Sequence, residues 1–268
     1  MKAISRLSLF LVLAVFPLRA VSQIANLPPP RDSSTARSFL DQGNDFSERL
    51  FKNQNALQSY LAALTLEPNN DEILWRISRT YVDIGEHLPV ATDEEKKEQL
   101  ATYEKALEYA NKALAANSRC SMAFVRRAIA NGRIALFKGV WESLDLVKQA
   151  KVDLERAIEL DGANGSAYYV LGRTHAKVSE RPRIVRWPLG LGWASLDDAV
   201  EKYERAIALR PNFIMYRLDC ARAYVELDEY EKAREHLKRI STLPTMDEDD
   251  ELFRKEAGEL LERIRDKD

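Results

Sequence analysis

The segment Ser195–Asn212, SLDDAVEKYERAIALRPN, decides how this chain folds. Ala199, Tyr203 and Ala206 recur at spacings of four and three, which puts them on one face of a helix. Pro211 ends that helix, because it has no backbone N–H to continue the ladder. The same frame stands upstream at Ala56, Tyr60, Ala63 and Pro68, and again at Ala106, Ala110, Ala113 and Ser118. It returns with more drift at Ala150, Leu154, Ala157 and Gly162. The chain is built from repeats.

Counting back from each closing position gives the partner helix of every unit. A small residue falls at Ser78, Ala128, Gly172 and Ala221, and Tyr81, His175 and Tyr224 follow three residues later. Small residues are needed where neighbouring helices cross closely. Helix–turn–helix units recurring at roughly 34 residues are the tetratricopeptide pattern. The expectation is an all-α, tetratricopeptide-like, right-handed helical-repeat solenoid of about five helix pairs plus a C-terminal capping helix.

Composition agrees with one continuous core: 268 residues, of which 46% are hydrophobic. Charged residues make up 31%, but the formal net charge is only -2, so the overall field points to neither nucleic acid nor membrane. The N-terminus differs from the rest. Lys2 and Arg6 precede the apolar run Leu7–Phe16, and Ala20-Val21-Ser22 follows, which is the layout of a secretory signal peptide over residues 1–22. The run is shorter than the ~20 residues that a spanning helix needs. Cleavage would remove Lys2, Arg6 and Arg19 and leave 37 basic against 42 acidic side chains. The signal looks bacterial in form, so the expected address is exported, in the periplasm. Cys120 and Cys220 fall in different units at separations on the order of 20 Å, too far for a disulfide.

After cleavage, residues 23–35 read as a flexible linker stiffened by Pro28-Pro29-Pro30, and residues 36–268 as the solenoid. Unit one ends near Asn70 and has Gly43 where a large apolar residue is expected. Unit two opens with Asp71 as N-cap, and Thr92 with Glu95 forms a capping box for its long second helix. Unit three pairs two lengthened helices. Unit four carries an insert, Glu180–Ser195, and unit five is followed by an acidic stretch, Asp247–Glu251, that opens the last helix.

Several stretches together resemble the regulator-of-microtubule-dynamics family: Leu74-Trp75-Arg76, Asp93–Lys97, Tyr103–Ala110, Arg210-Pro211-Asn212-Phe213 and Glu256–Leu261. The order of oversized helices and the insert match it too, over roughly Asp71 to Ile264. Animal members are associated with microtubules, mitochondria and contacts between membranes, and no catalytic residues are attributed to the family. The export signal departs from that setting. The resemblance therefore implies helical-repeat adaptor character, without microtubule binding.

No enzyme motif stands out, and no catalytic, cofactor or metal residue is assigned. His87, His175 and His236 lie in different units without the i, i+4 spacing of a helical metal site, and His175 reads as a packed core residue. The acidic runs at helix starts read as capping. Two surfaces remain as candidates. In the repeat frame, Arg79, Arg173 and Arg222 occupy the groove-facing ninth position of first helices, with Arg126 and Arg133 flanking it in unit three. Trp75 and Tyr169 stand one turn before Arg79 and Arg173, where ring and guanidinium can stack. This column suits a protein or peptide partner of acidic character. Local pairing, of Arg79 with Asp83 and of Arg222 with Glu226, is the competing reading. The second surface is the insert, with Arg183, Arg186, Trp187 and Trp193. Either its tryptophans tuck between the helices of unit four, or they form an exposed basic–aromatic loop for a membrane surface or partner.

Overall fold

The computed structural model describes residues 35–268. The expected signal peptide and nearly all of the linker lie outside the described residues. Thr35, assigned to the linker, instead caps the first helix by accepting from Ser38 N at 3.2 Å.

Twelve helices and no strand are present among the described residues. Unit one is α1 (Ala36–Glu48) and α2 (Asn53–Leu66), and unit two is α3 (Asp71–Glu86) and α4 (Asp93–Ala116). Unit three pairs α5 (Ser121–Ala135) with α6 (Val140–Leu160). Unit four pairs α7 (Gly165–Ser179) with α9 (Leu196–Leu209), and the one-turn α8 (Arg183–Arg186) lies in its insert. Unit five is α10 (Ile214–Glu226) with α11 (Tyr230–Ile240), and α12 (Asp250–Arg263) covers the end.

Local chemistry sets the helix limits. Ser195 starts α9 by accepting from Asp198 N at 3.0 Å, and the helix stops two residues before Pro211. Thr92 and Glu95 close the capping box of α4 in both directions, at 3.2 and 2.8 Å. At α3 the cap is Asn70, whose side chain accepts from Ile73 N, and Asp71 is the first helical residue instead. Asn164 does the same for α7.

The paired helices cross where a glycine meets a tyrosine. A Cβ on Gly172 would lie 2.8 Å from Tyr203 Cδ1 and 3.0 Å from the Ala199 carbonyl oxygen. Gly43 occupies the corresponding place against Tyr60, whose ring an added Cβ would strike. It is therefore the small residue of a close crossing and not a missing large one. In unit two Ser78 fills the position and donates to the Ala106 carbonyl at 2.7 Å. Unit three adds an ion pair with one buried member: the partly exposed Arg127 grips the buried Asp153 with two bonds, at 2.8 and 2.7 Å. Removing Arg127 would leave the buried Asp153 carboxylate with only the Gln149 amide, at 2.9 Å, to satisfy it.

First helices also touch the next first helix, α3 on α5, α5 on α7 and α7 on α10. No comparably close contact joins successive second helices among the described residues. The stack therefore curves with its first helices inside, and their free faces line one groove. The apolar core runs between the layers, from Leu40, Tyr60 and Ile77 at one end to Ile240, Leu260 and Ile264 at the other. Cys120 and Cys220 are both free, as their separation in the repeats requires.

Candidate functional site

The groove gathers Trp75 and Arg79 from α3, Arg126 and Arg133 from α5, Tyr169 and Arg173 from α7, and Arg222 from α10. Most of these cations are already paired. Arg79 meets Asp83 at 3.3 Å and Glu48 at 3.5 Å, and Arg133 is bound by Glu86. Asp219 of α10 collects three partners: Arg222 at 2.8 Å, Arg173 at 3.4 Å and the Tyr169 hydroxyl, which donates at 2.7 Å. Arg222 also reaches Glu256 of α12 at 2.5 Å and not Glu226. Pairing thus accounts for much of the column, but it runs between units more than along one helix.

Arg126 is the exception. Among the described residues it has no ion-pair partner, and its Nε is buried without a hydrogen bond. Its guanidinium lies 5.7 Å from the centroid of the Trp75 ring. Trp75 stacks under Arg76 and Arg126, at 4.6 and 5.7 Å, and not under Arg79 as the spacing along α3 suggested. Burial and then repulsion from Arg79 pull the Arg126 pKa down to about 10, still fully charged near neutrality. Tyr169 does carry Arg173 on its face, at 5.8 Å, and stacks on Tyr216 at 4.2 Å. Tyr216 and Asp219 had no signal in a single-helix reading, because their roles depend on the next unit.

The groove is also closed at one end by a segment far away in sequence. Asn53 at the start of α2 donates to Glu248 at 2.7 Å, and the His87 ring faces Glu248 at 3.5 Å and Asp249 at 3.4 Å. Asp247 is half-buried in the field of Arg79 and Asp83, and burial raises its carboxyl above the usual range. Only Asp250 and Glu251 belong to the first turn of α12, so capping explains only part of this acidic run.

The insert divides its residues between the two readings. Trp193 tucks in, meeting the His175 ring edge-on at 4.9 Å, and His175 is the packed residue expected. Arg186 turns inward as well. It is buried and donates to the carbonyls of Arg181, Leu191 and Ala194, so it pins the loop and is not a contact residue. Trp187 and Arg183 face out, and Trp187 is 70% exposed. Ile184 at 83%, Val185 and Trp141 at 72% extend the exposed apolar set.

One cluster has metal-ligand composition: Glu204, Cys220 and His236, whose donor atoms lie within 4.8 Å of one another. They come from α9, α10 and α11, so no spacing within one helix announces them. Glu204 is engaged by the His236 ring at 2.9 Å and accepts from the Tyr224 hydroxyl at 2.9 Å. The His236 bond, above all, lowers its carboxyl pKa, whereas burial raises the Cys220 thiol far above its ordinary value. The free ring nitrogen, Nδ1, is buried without a partner. A ligating histidine normally donates its second N–H to an acceptor. The cluster therefore reads as a hydrogen-bonded brace between three helices.

Together the layered helix pairs, the curvature and the basic–aromatic inner face define a tetratricopeptide-type solenoid. The chain belongs to the family described as regulator of microtubule dynamics protein 1-3, whose model matches residues 39–265. Regulator of microtubule dynamics protein 1 of Bos taurus is 28% identical over 207 residues, covering 75% of this chain and 64% of that protein. Regulator of microtubule dynamics protein 3 of the same organism is 27% identical over 233 residues, covering 82% and 46%. The chain thus spans between about half and just under two thirds of these relatives' lengths. A solved tetratricopeptide protein of Thermus thermophilus superposes with a TM-score of 0.63 at 17% identity, covering 83% of this chain and 98% of that one. At that identity it shows the fold alone.

Proposed function

We propose that this protein is an exported, non-enzymatic adaptor whose groove holds an extended acidic segment of a partner protein. The observation that carries the reading is Arg126: a half-buried guanidinium set against Trp75, its Nε shut away from water without an acceptor, with no carboxylate of its own among the described residues. Leaving a charge in that state is unfavourable unless a ligand completes it. Successive first helices stand roughly 8–10 Å apart, about three residues of extended chain at ~3.3 Å each. A peptide lying along the groove therefore meets each unit in turn. The microtubule role in the relatives' name stays with them, since the periplasmic address expected from residues 1–22 is a different setting.

The test is fluorescence anisotropy with a labelled octapeptide of alternating Glu and Ser, and its Lys counterpart as control. Arg126→Glu weakens binding of the acidic peptide at least tenfold, about 1.4 kcal/mol. Raising salt from roughly 0.05 to 0.5 M also weakens it, because screening shortens the reach of the charges. Binding that survives both changes would sink the groove reading. Fractionation of the producing cell tests the address: the chain belongs with the periplasmic markers.

A second reading rests on the exposed insert residues Ile184, Val185 and Trp187, with Arg183 next to them in the chain. Apolar and aromatic side chains next to a cation suit a membrane interface. No described helix is long and apolar enough to cross a membrane. Flotation with anionic vesicles separates the two: a groove-only adaptor stays at the bottom of the gradient.

A further inference from the structure

We propose that Asn53, Arg79 and His87 form a second subsite of the groove for an acidic segment, held in this conformation by the chain's own turn Asp247-Glu248-Asp249, and that an acidic partner binds by displacing that turn. The proposal rests on the groove reading above and adds its regulation.

The turn is built independently of what it touches. The buried Asp250 carboxylate accepts from Met246 N at 2.6 Å and from Asp247 N at 3.0 Å, and Asp247 accepts from Asp249 N at 3.2 Å. Arg254 braces the approach by donating to the Leu243 carbonyl at 2.9 Å and to Thr245 Oγ1 at 3.2 Å. All of these partners belong to the C-terminal part, so the turn keeps its shape whether or not it is docked. Glu248 and Asp249 are left to point at the opposite end of the solenoid.

What they meet there is a small polar cradle. Asn53 supplies the amide that reaches Glu248 across 195 residues, and His87 faces both carboxylates. His87 is itself fixed, since its Nδ1 lies 2.7 Å from the Asp83 carbonyl oxygen. Arg79 attracts Asp247 and repels the unpaired Arg126, so both side chains lie in its field. A ligand carboxylate that settles on Arg126 therefore competes with Asp247 for the same field. The docking contacts are few and partly exposed, which is the class of pair that contributes little to stability. A closed groove held this weakly suits exchange with a partner.

The test uses the full chain and a labelled peptide copying Pro244–Glu251. Release comes from Asp247→Asn, Glu248→Gln and Asp249→Asn together, which leaves the structural Asp250 untouched. The released protein should bind the peptide at least about tenfold tighter than the parent, because the cis occupant no longer lowers the competent fraction. Adding Asn53→Ala and His87→Ala to it should remove the gain. Small-angle scattering should show a larger radius of gyration after release, and Asn53→Ala alone should reproduce part of that change from the other side. Equal affinity before and after release, with unchanged scattering, overturns cis occupancy. If that equal binding is lost in Arg126→Glu, the groove reading still stands. If the gain appears but ignores Arg126→Glu, the subsite stands and the wider groove reading falls.

Discussion

Gly172 shows how much a single atom weighs in this fold. Its Cα sits under Tyr203 and the Ala199 carbonyl, so a methyl group there must push a ring and a backbone oxygen together. Gly172→Ala should lower stability by ~1–3 kcal/mol through overpacking. Gly132 is the control, since a Cβ there meets nothing within 4 Å. Gly132→Ala in α5 should stabilise by ~0.5–1 kcal/mol, because alanine loses less backbone freedom on folding. Urea titrations of both variants check the pair, and equal shifts would mean that the crossing is not where stability is decided. Arg126 belongs to the same scale. Its effect is on binding, by at least the tenfold loss given above for Arg126→Glu, and not on the fold.

At the scale of elements, the insert of unit four and the acidic turn behave differently. Within the insert, Trp193 fills space beside His175 while Trp187 stays open to solvent. Trp193→Ser should therefore lower the melting temperature by several degrees, and Trp187→Ser should leave it within about a degree. A vesicle-binding loss confined to Trp187→Ser would favour the membrane reading. For the turn, pH gives the direction. His87 is raised above its ordinary value: desolvation opposes this, but the Asp83 carbonyl, Glu248 and Asp249 outweigh it. Asp247, facing Asp83, Arg79 and Asp250, and Glu248, facing Asn53, His87, Asp83 and Asp247, are raised chiefly by burial. All three groups hold protons more tightly than their ordinary values, and the contact between His87 and the turn adds to the His87 shift. The His87 contribution is complete below the unperturbed histidine range, about 6.5, and is lost as pH rises through its raised value. Closure should thus weaken as pH rises above about 6.5, seen as a growing radius of gyration, and His87→Ala should flatten most of that change. Opening on acidification towards that value would contradict the contact.

Across the whole molecule, the units depend on neighbours because each leaves an apolar face to be covered. α12 does this for unit five with Ala257, Leu260 and Ile264, all buried in the terminal cluster. Truncation after Leu243 removes that cover together with the acidic turn. Solenoid stability is close to a sum over nearest neighbours. Loss should therefore concentrate in α10 and α11, with amide exchange there rising well before α5 and α6 respond. Uniform loosening would instead indicate that the closure between Asn53 and Glu248 couples the two ends into one cooperative unit.

The local architecture was legible in the residues alone. Helix limits, the capping box at Thr92 and the small residues at the crossings other than Gly43 all depend on side chains three, four or about 34 positions apart, and sequence displays such spacings directly. The family resemblance was legible for the same reason, since the lengthened helices and the insert are local lengths. Partners across the groove were not. Asp219 pairs with arginines of two units, Arg126 is left with none among the described residues, and Arg186 turns inward to three carbonyls. Glu204, Cys220 and His236 meet from three helices, and Glu248 reaches Asn53 from the far end. Each of these depends on the curvature that small rotations accumulate from unit to unit, and on which rotamers long side chains adopt once neighbouring units have closed around them. Periodicity specifies the stack, whereas the meeting of its ends and the charges left over inside it exist only after the stack has curved.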